Sequence, residues 1–203
     1  MHPDPRFRPD ASLSLADLVA EEPFGQIVAA TPAGLIAAQV PVVLAEDGAL
    51  HFHLSRANRL APHLAGADAL FTTIAAHGYV SPAWYARPTP QVATWNYVAL
   101  EVEGRVELLD EAALMAQLDA LSRLGEPDGS GLPQDAEHQA YVAQLLRGIS
   151  GFRLVVREWR ATRKLSQNKP ADSRAAVASA LDAQGRVELA RLMRAAEPQS
   201  VAL

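Results

Sequence analysis

The 203-residue chain contains no cysteine. That absence excludes disulfides, Cys-ligated zinc, iron–sulfur clusters and a thiol nucleophile together. Long apolar runs are also missing: none approaches the roughly 20 residues that cross a bilayer as a helix, so no membrane partner is expected. The opening MHPDPRFRPD has neither the apolar stretch of a signal peptide nor the Arg- and Ser-rich amphipathic pattern of a transit peptide, which points to a cytoplasmic protein. Basic residues are in deficit, 18 against 23 acidic ones for a net charge of −5. This argues against nucleic-acid binding by a broadly basic surface. Of the six histidines, only His51 and His53 are grouped, on one strand face. They lack a third ligand, so no metal site is assigned.

What the chain does have is apolar content of 49%, enough for a sizeable core. Aromatic residues make up only 6%, yet HGYVSPAWYARPTPQVATWNY, residues 77–97, holds three of the four Tyr and two of the three Trp. Its prolines exclude a regular helix or a central strand. Large rings on a proline-stiffened loop suit a contact surface better than an ordinary connection, which is small and polar. Charge is uneven too. From Arg153 to Arg174 there are seven basic residues and two acidic ones, a net of +5, which leaves −10 for the rest. An anion is expected in that segment.

Periodicity predicts a mainly β protein with flanking helices and roughly six antiparallel strands. SLADLVAEE reads as a short helix capped by Ser14 with Asp17 in the capping-box position. FGQIVAAT, GLIAAQVPVVLAE and ALHFHLS read as a three-strand meander with turns at Pro32–Gly34 and Glu46–Gly48. RANRLAPHLAG gives a short helix or turn and ALFTTIAAHGYV a largely buried strand. TWNYVALEVEGRVELL alternates throughout, with Val98, Leu100, Val102, Val106 and Leu108 on one face. DEAALMAQLDALSRLG is an amphipathic helix begun by Asp110, a further helix spans about residues 135–148, and FRLVVREWRATR is the last strand. The simplest organisation is one domain over 1–203: a small barrel with inserted helices over 13–170, then peripheral helices over 171–203.

Two polar stretches stand out. HLSRANR places Ser55, Arg56, Asn58 and Arg59 at a strand end and helix start, where free N–H groups and a guanidinium can hold phosphate. RKLSQNK offers Lys164, Ser166, Gln167, Asn168 and Lys169 directly after the last strand. Taken singly, each stretch also fits solvated polar residues beside a regular element.

HGYVSPAWY, VATWNYVAL and KLSQNK, in this order and preceded by FHLSRAN, resemble the PaiB-like family of FMN-binding negative transcriptional regulators, over about Phe24 to Lys169. The resemblance implies the FMN-binding split β-barrel fold, a homodimer, and FMN at the subunit interface. By that resemblance Arg56 and Asn58 are the phosphate grip, with His53 and Ser55 beside them. Ser81, Thr94 and Asn96 offer hydrogen bonds to the flavin heteroatoms. Trp84, Tyr85, Trp95 and Tyr97 cover the ring or pack against the second subunit, and Lys164, Ser166, Gln167 and Asn168 add contacts. The chain departs from the family's pattern at Phe52, Ser55 and Arg59, which stand where a glycine, a small apolar residue and a proline are usual. It also departs at Gln39, where a histidine is common.

The resemblance implies a regulator that binds flavin. Two other readings stay open: a flavin-dependent oxidoreductase using NAD(P)H, with Arg87 as the cation for the nicotinamide phosphates, and a dimeric scaffold that has lost flavin. No residue is assigned a catalytic role, because no acid–base pair or nucleophile stands out; His77 is the best-placed single titratable group. A DNA partner is left open, but no helix-turn-helix motif supports it.

Overall fold

A computed structural model describes residues 2–9, 13–86 and 90–196. Helix α1 (Leu15–Glu21) begins as its sequence dictates: the Asp17 N–H donates to the Ser14 hydroxyl at 3.2 Å, and the Ser14 N–H donates to the Asp17 carboxylate at 2.8 Å. Strands β1 (Phe24–Thr31) and β2 (Gly34–Pro41) form an antiparallel hairpin closed at Thr31↔Gly34, where Gly34 takes φ of 103°.

The expected meander breaks at Pro41, which has no N–H to extend the ladder. The Val42 N–H turns to the Pro23 oxygen at 2.8 Å, and a separate short strand β3 (Val43–Leu44) then pairs with β4 (Leu50–Ser55). The sheet therefore has seven strands rather than roughly six, in the order β2-β1-β5-β6-β7-β4-β3, with β2 and β3 at opposite edges. Its middle is formed by three long strands, β5 (Asp68–Val80), β6 (Thr94–Leu108) and β7 (Ile149–Lys164). The helices are the four-residue α2 (Ala61–Leu64), then α3 (Glu111–Gly125), α4 (Ala136–Leu146), α5 (Ala171–Ala183) and α6 (Val187–Ala195). The chain is thus mainly β with flanking helices, as its periodicity predicts.

The chain divides into two compact units, one made of Met1–Leu13, Ile74–Leu100 and Arg160–Leu203, the other of Ser14–Thr73 and Glu101–Trp159. In the second, β4 and β7 pair antiparallel with Phe52 opposite Phe152, and the two rings stack 5.5 Å apart. Ile27, Phe71, Val102 and Leu154 complete this core, while β2 and β4 approach each other and curl the sheet. Helix α3 packs on β3 and β4 through Leu114 and Gln117. The alternation of β6 does not reach Leu108, which is exposed.

In the first unit, Val80 and Val98 pack with Val177 and Leu181 of α5 and Leu189 and Met193 of α6. Burying each leucine contributes about 1.5–3 kcal/mol. Gly78 permits this closeness, because a Cβ there would lie 2.8 Å from Leu189 Cδ2. Along β5 the buried parity changes from 69, 71, 73 to 76, 78, 80, which turns His77 and Tyr79 outward.

Candidate functional site

In the first unit a cavity of about 300 Å³ is lined by residues that include Tyr85, Thr94, Asn96, Lys164, Ser166 and Asn168, six of the residues expected to meet a flavin, together with Lys169. β6 enters the unit at Thr94 and β7 ends at Lys164, so the long strands deliver both to one place. The Lys164 ammonium donates to the Thr94 hydroxyl at 2.5 Å and to the Trp95 carbonyl oxygen at 2.6 Å. Lys169 donates to Gln91 Oε1 at 2.8 Å and stands 5.5 Å from the centre of the Tyr85 ring. Burial, and then the neighbouring Lys169, push the Lys164 ammonium below the usual lysine value.

The turn after β7 is held rigidly. Ser166 has φ of 61°, the only positive value at a non-glycine among the described residues. Its hydroxyl lies 2.9 Å from Asn96 Nδ2, which donates to it, and 3.2 Å from Asn96 Oδ1, to which it donates. Burial pushes the Tyr85 phenol up, and a hydrogen bond with Ser166 opposes that shift. Gln167 closes the same turn: its Oε1 accepts from the Leu165 N–H at 2.8 Å and its Nε2 donates to the Arg163 carbonyl at 2.5 Å. Asn96, Ser166 and Gln167, all buried, therefore shape the wall, while Lys164, Asn168 and Lys169 face the cavity with donors.

The sequence reading missed five lining residues, His2, Asp4 and Phe7 of the N-terminal segment and Gln91 and Val92 before β6. The His2 N–H donates to Thr162 Oγ1 at 3.2 Å, its ring meets Phe7 edge-on at 4.6 Å, and Phe7 is buried. Arg6 donates to both Asp4 carboxylate oxygens, which holds that carboxyl down to about 2. Asp4 is thus neutralised by its own neighbour. An aromatic residue among the prolines of HPDPRF, the same combination that marks residues 77–97, was the available signal.

The rings separate into two groups. Trp84 and Tyr85 pack in part against the unit's core. Trp95 and Tyr79 are about half exposed, meet edge-to-face at 6.3 Å, and have His77 5.8 Å from Trp95. Ser81 accepts from the Ala83 N–H at 3.2 Å, capping the short 3₁₀ turn Pro82–Trp84. Arg87 lies outside the described residues.

His53, Ser55, Arg56 and Asn58 belong to the second unit, so the expected flavin contacts are divided between the two. The expected helix start at Arg56 is absent: α2 begins only at Ala61, and the N–H groups of Arg56 and Asn58 donate to the Gly148 and Ser55 carbonyls at 2.8 and 2.9 Å. Ser55 and Asn58 use their side-chain oxygens on the N–H groups of Ala57 and Leu60, at 3.2 and 2.9 Å. His53 Nδ1 lies 3.1 Å from Gln117 Oε1. Arg56 alone of the four turns a charged group to a cavity, one of about 640 Å³. Phe52, the departure from glycine, stacks in the core and leaves this cavity untouched.

Two arginines of the basic segment are paired with carboxylates. Arg153 pairs with Glu107 at 2.6 Å and Asp47 at 3.0 Å, and Arg157 with Asp68 at 3.1 Å. Lys164 and Lys169 instead contact neutral acceptors. Two ammonium groups with amide and hydroxyl donors around them fit an anionic, heteroatom-rich group such as a flavin mononucleotide.

Among proteins of known sequence, the chain is 32% identical over 94 residues to "Protease synthase and sporulation protein PAI 2" of Bacillus subtilis (strain 168), a match that spans 46% of this chain and 44% of that protein. Among solved structures, it resembles a FAD- and heme-binding protein of Mycobacterium smegmatis, with TM-score 0.57, 20% identity, and 81% of this chain and 76% of that one covered. It also resembles a conserved hypothetical protein of Mycobacterium tuberculosis, with TM-score 0.59, 15% identity and coverage of 84% and 94%. These likenesses agree with the split-barrel fold. The model of the family described as "Putative FMN-binding domain" matches residues 1–158. That is well over half of the 203 residues, and the chain belongs to this family, whose cofactor is a flavin.

Proposed function

We propose that the chain is an FMN-binding homodimer that acts as a negative transcriptional regulator of the PaiB type, with the flavin as a sensed ligand. The observation that carries this reading is the first unit's cavity, where Lys164 and Lys169 converge with Tyr85, Thr94 and Asn168 and neither lysine is shown paired with a carboxylate. A partly buried cation facing neutral partners is completed by an anion. The partial identity with the sporulation protein PAI 2 supports the regulatory half.

The residues divide by role. Lys164, Asn168, Tyr85 and Trp84 contact the cofactor, and Thr94, Trp95 (through its carbonyl), Asn96, Ser166 and Gln167 position them. Arg56 grips phosphate in its own unit, on a turn built by Ser55 and Asn58 and beside His53; Ser81 fixes the turn that carries Trp84. When bound, a flavin supplies a ring able to take up hydride or electrons. Trp95, Tyr79 and Ile74, exposed large apolar residues of the first unit, provide the surface for the second subunit. A homodimer would present two copies of each residue set.

Reconstitution with FMN, followed by visible spectroscopy and mass determination over a range of concentrations, tests the binding and the assembly. A flavin-bound species whose mass stays that of one chain at every concentration would remove the dimer. Steady-state NADH and NADPH oxidation tests the regulatory reading, which expects slow or absent turnover. Turnover of order 1–10³ per second would favour an oxidoreductase instead.

A further inference from the structure

The 640 Å³ cavity of the second unit is lined by two arginines, Arg56 and Arg147, of which the sequence motif identifies only the first. Both are tied to one short stretch of backbone. Arg147 ends α4, and the next two residues accept from Arg56: Gly148 oxygen from its N–H and Ile149 oxygen from its Nε, both at 2.8 Å. The Nε bond fixes the Arg56 guanidinium plane and leaves its terminal amino groups available. Neither arginine is ion-paired with a carboxylate among the described residues.

The rest of the wall explains why one arginine would not suffice. Asp110 and Glu111 also line the cavity. Asp110 is engaged as the α3 cap, its Oδ1 accepting the Ala113 N–H at 2.8 Å, and it stands on the wall that any bound anion would meet. With Arg56 alone the carboxylates outnumber the cations. Arg147 restores the balance and presents a second planar fork of donors. The floor is apolar and closely fitted, since a Cβ on Gly151 would meet Leu114 Cδ1 at 3.0 Å and Leu109 Cβ at 3.1 Å.

We infer that Arg56 and Arg147 together form a two-guanidinium clamp for the dianion of a phosphate monoester. Two planar forks meet the several acceptor oxygens of such a group on a wall whose charges cancel, whereas a single guanidinium beside two carboxylates would leave the wall net negative. That the ester is FMN rests on the function proposed above; the clamp itself rests on the cavity.

Calorimetric titration of the full chain with FMN, riboflavin and inorganic phosphate, on the wild type and on Arg56→Ala, Arg147→Ala and Arg147→Lys, tests this. Each alanine variant should weaken FMN and phosphate by about tenfold or more and leave riboflavin binding unchanged. Arg147→Lys should recover only part of the loss, because a point charge replaces a planar fork. Circular dichroism establishes that each variant is folded, and an unfolded Arg147→Ala passes the decision to Arg147→Lys, which must then bind phosphate more weakly than the wild type. Wild-type affinity for FMN and phosphate in the Arg147 variants, with FMN lost in Arg56→Ala, would overturn the clamp and leave the flavin reading standing. Phosphate binding that depends on both arginines in a protein that takes up no FMN would uphold the clamp and remove the flavin. A wild type that binds neither probe, or equal loss of riboflavin in the variants, would overturn the clamp.

Discussion

Asn96 and Ser166 are hydrogen-bonded through both atoms of the Asn96 amide, at 2.9 and 3.2 Å, although they are 70 residues apart. The pair locks the turn after β7 to the start of β6, and so sets where Lys164 and Lys169 present their charges. Asn96→Ala should cost about 1–3 kcal/mol, the penalty of removing both hydrogen bonds between the buried Ser166 hydroxyl and the Asn96 amide. Urea unfolding measures the loss. A variant as stable as the wild type would show that the pair does not hold the wall.

The Lys164 ammonium is partly buried beside a second one, which disfavours its charged form in the folded chain. Lys164→Met should therefore raise the melting temperature of the flavin-free protein near neutral pH while weakening FMN. Since the folded value is lowered, the unfolded chain binds more protons between the folded value and 10.5, and the wild type gains stability as pH rises through that window. The gap between variant and wild type should narrow toward pH 10.5 and be widest below the folded value. A gap that is constant with pH would contradict the burial of this charge.

Arg56→Ala should weaken FMN at least about tenfold, since a charge-assisted hydrogen bond contributes roughly 1.5–3 kcal/mol. The structural cost should be small, because Arg56 is exposed and its one side-chain bond to the protein is to the Ile149 carbonyl. Fluorescence titration of FMN separates the two effects. Undiminished affinity would take Arg56 out of the site.

Gly104 lies in β6 where a Cβ would come 2.1 Å from the Val155 oxygen, a backbone atom that cannot move aside without shifting its strand. Gly104→Ala should destabilise the protein by about 1–3 kcal/mol or more. A neutral result in thermal unfolding would mean that β6 and β7 are less closely apposed than described.

Much of the fold was legible because burial imposes a period. The alternation of Val98, Leu100, Val102 and Val106 marks β6, and Ser14 with Asp17 marks the start of α1. What stayed hidden depends on contacts between distant segments. In ALFTTIAAHGYV the polar Thr73 is buried and the apolar Ile74 exposed, so the change of buried parity in β5 cannot be read from the polarity pattern. Nor could the motifs reveal that Ser55, Asn58 and Gln167 direct side-chain oxygens to N–H groups of their own turns. Arg147 was hidden for a similar reason, as its nearness to Arg56 follows from the register Ser55↔Ile149 between β4 and β7.

Exposed Trp95 and Tyr79 lead to a different expectation, that Trp95→Ser should weaken self-association without unfolding the chain. Sedimentation equilibrium checks this. Unchanged association in a folded variant would take the ring out of the subunit interface.

The most direct measurement is the visible spectrum of the purified chain titrated with FMN, for the wild type and for Lys164→Ala. The account predicts a flavin spectrum perturbed on binding, saturating at one flavin per chain, with affinity reduced about tenfold or more in the variant. Saturable binding that is identical in the two proteins would contradict the placement of flavin contacts around Lys164, and an unperturbed spectrum at every concentration would contradict flavin binding itself.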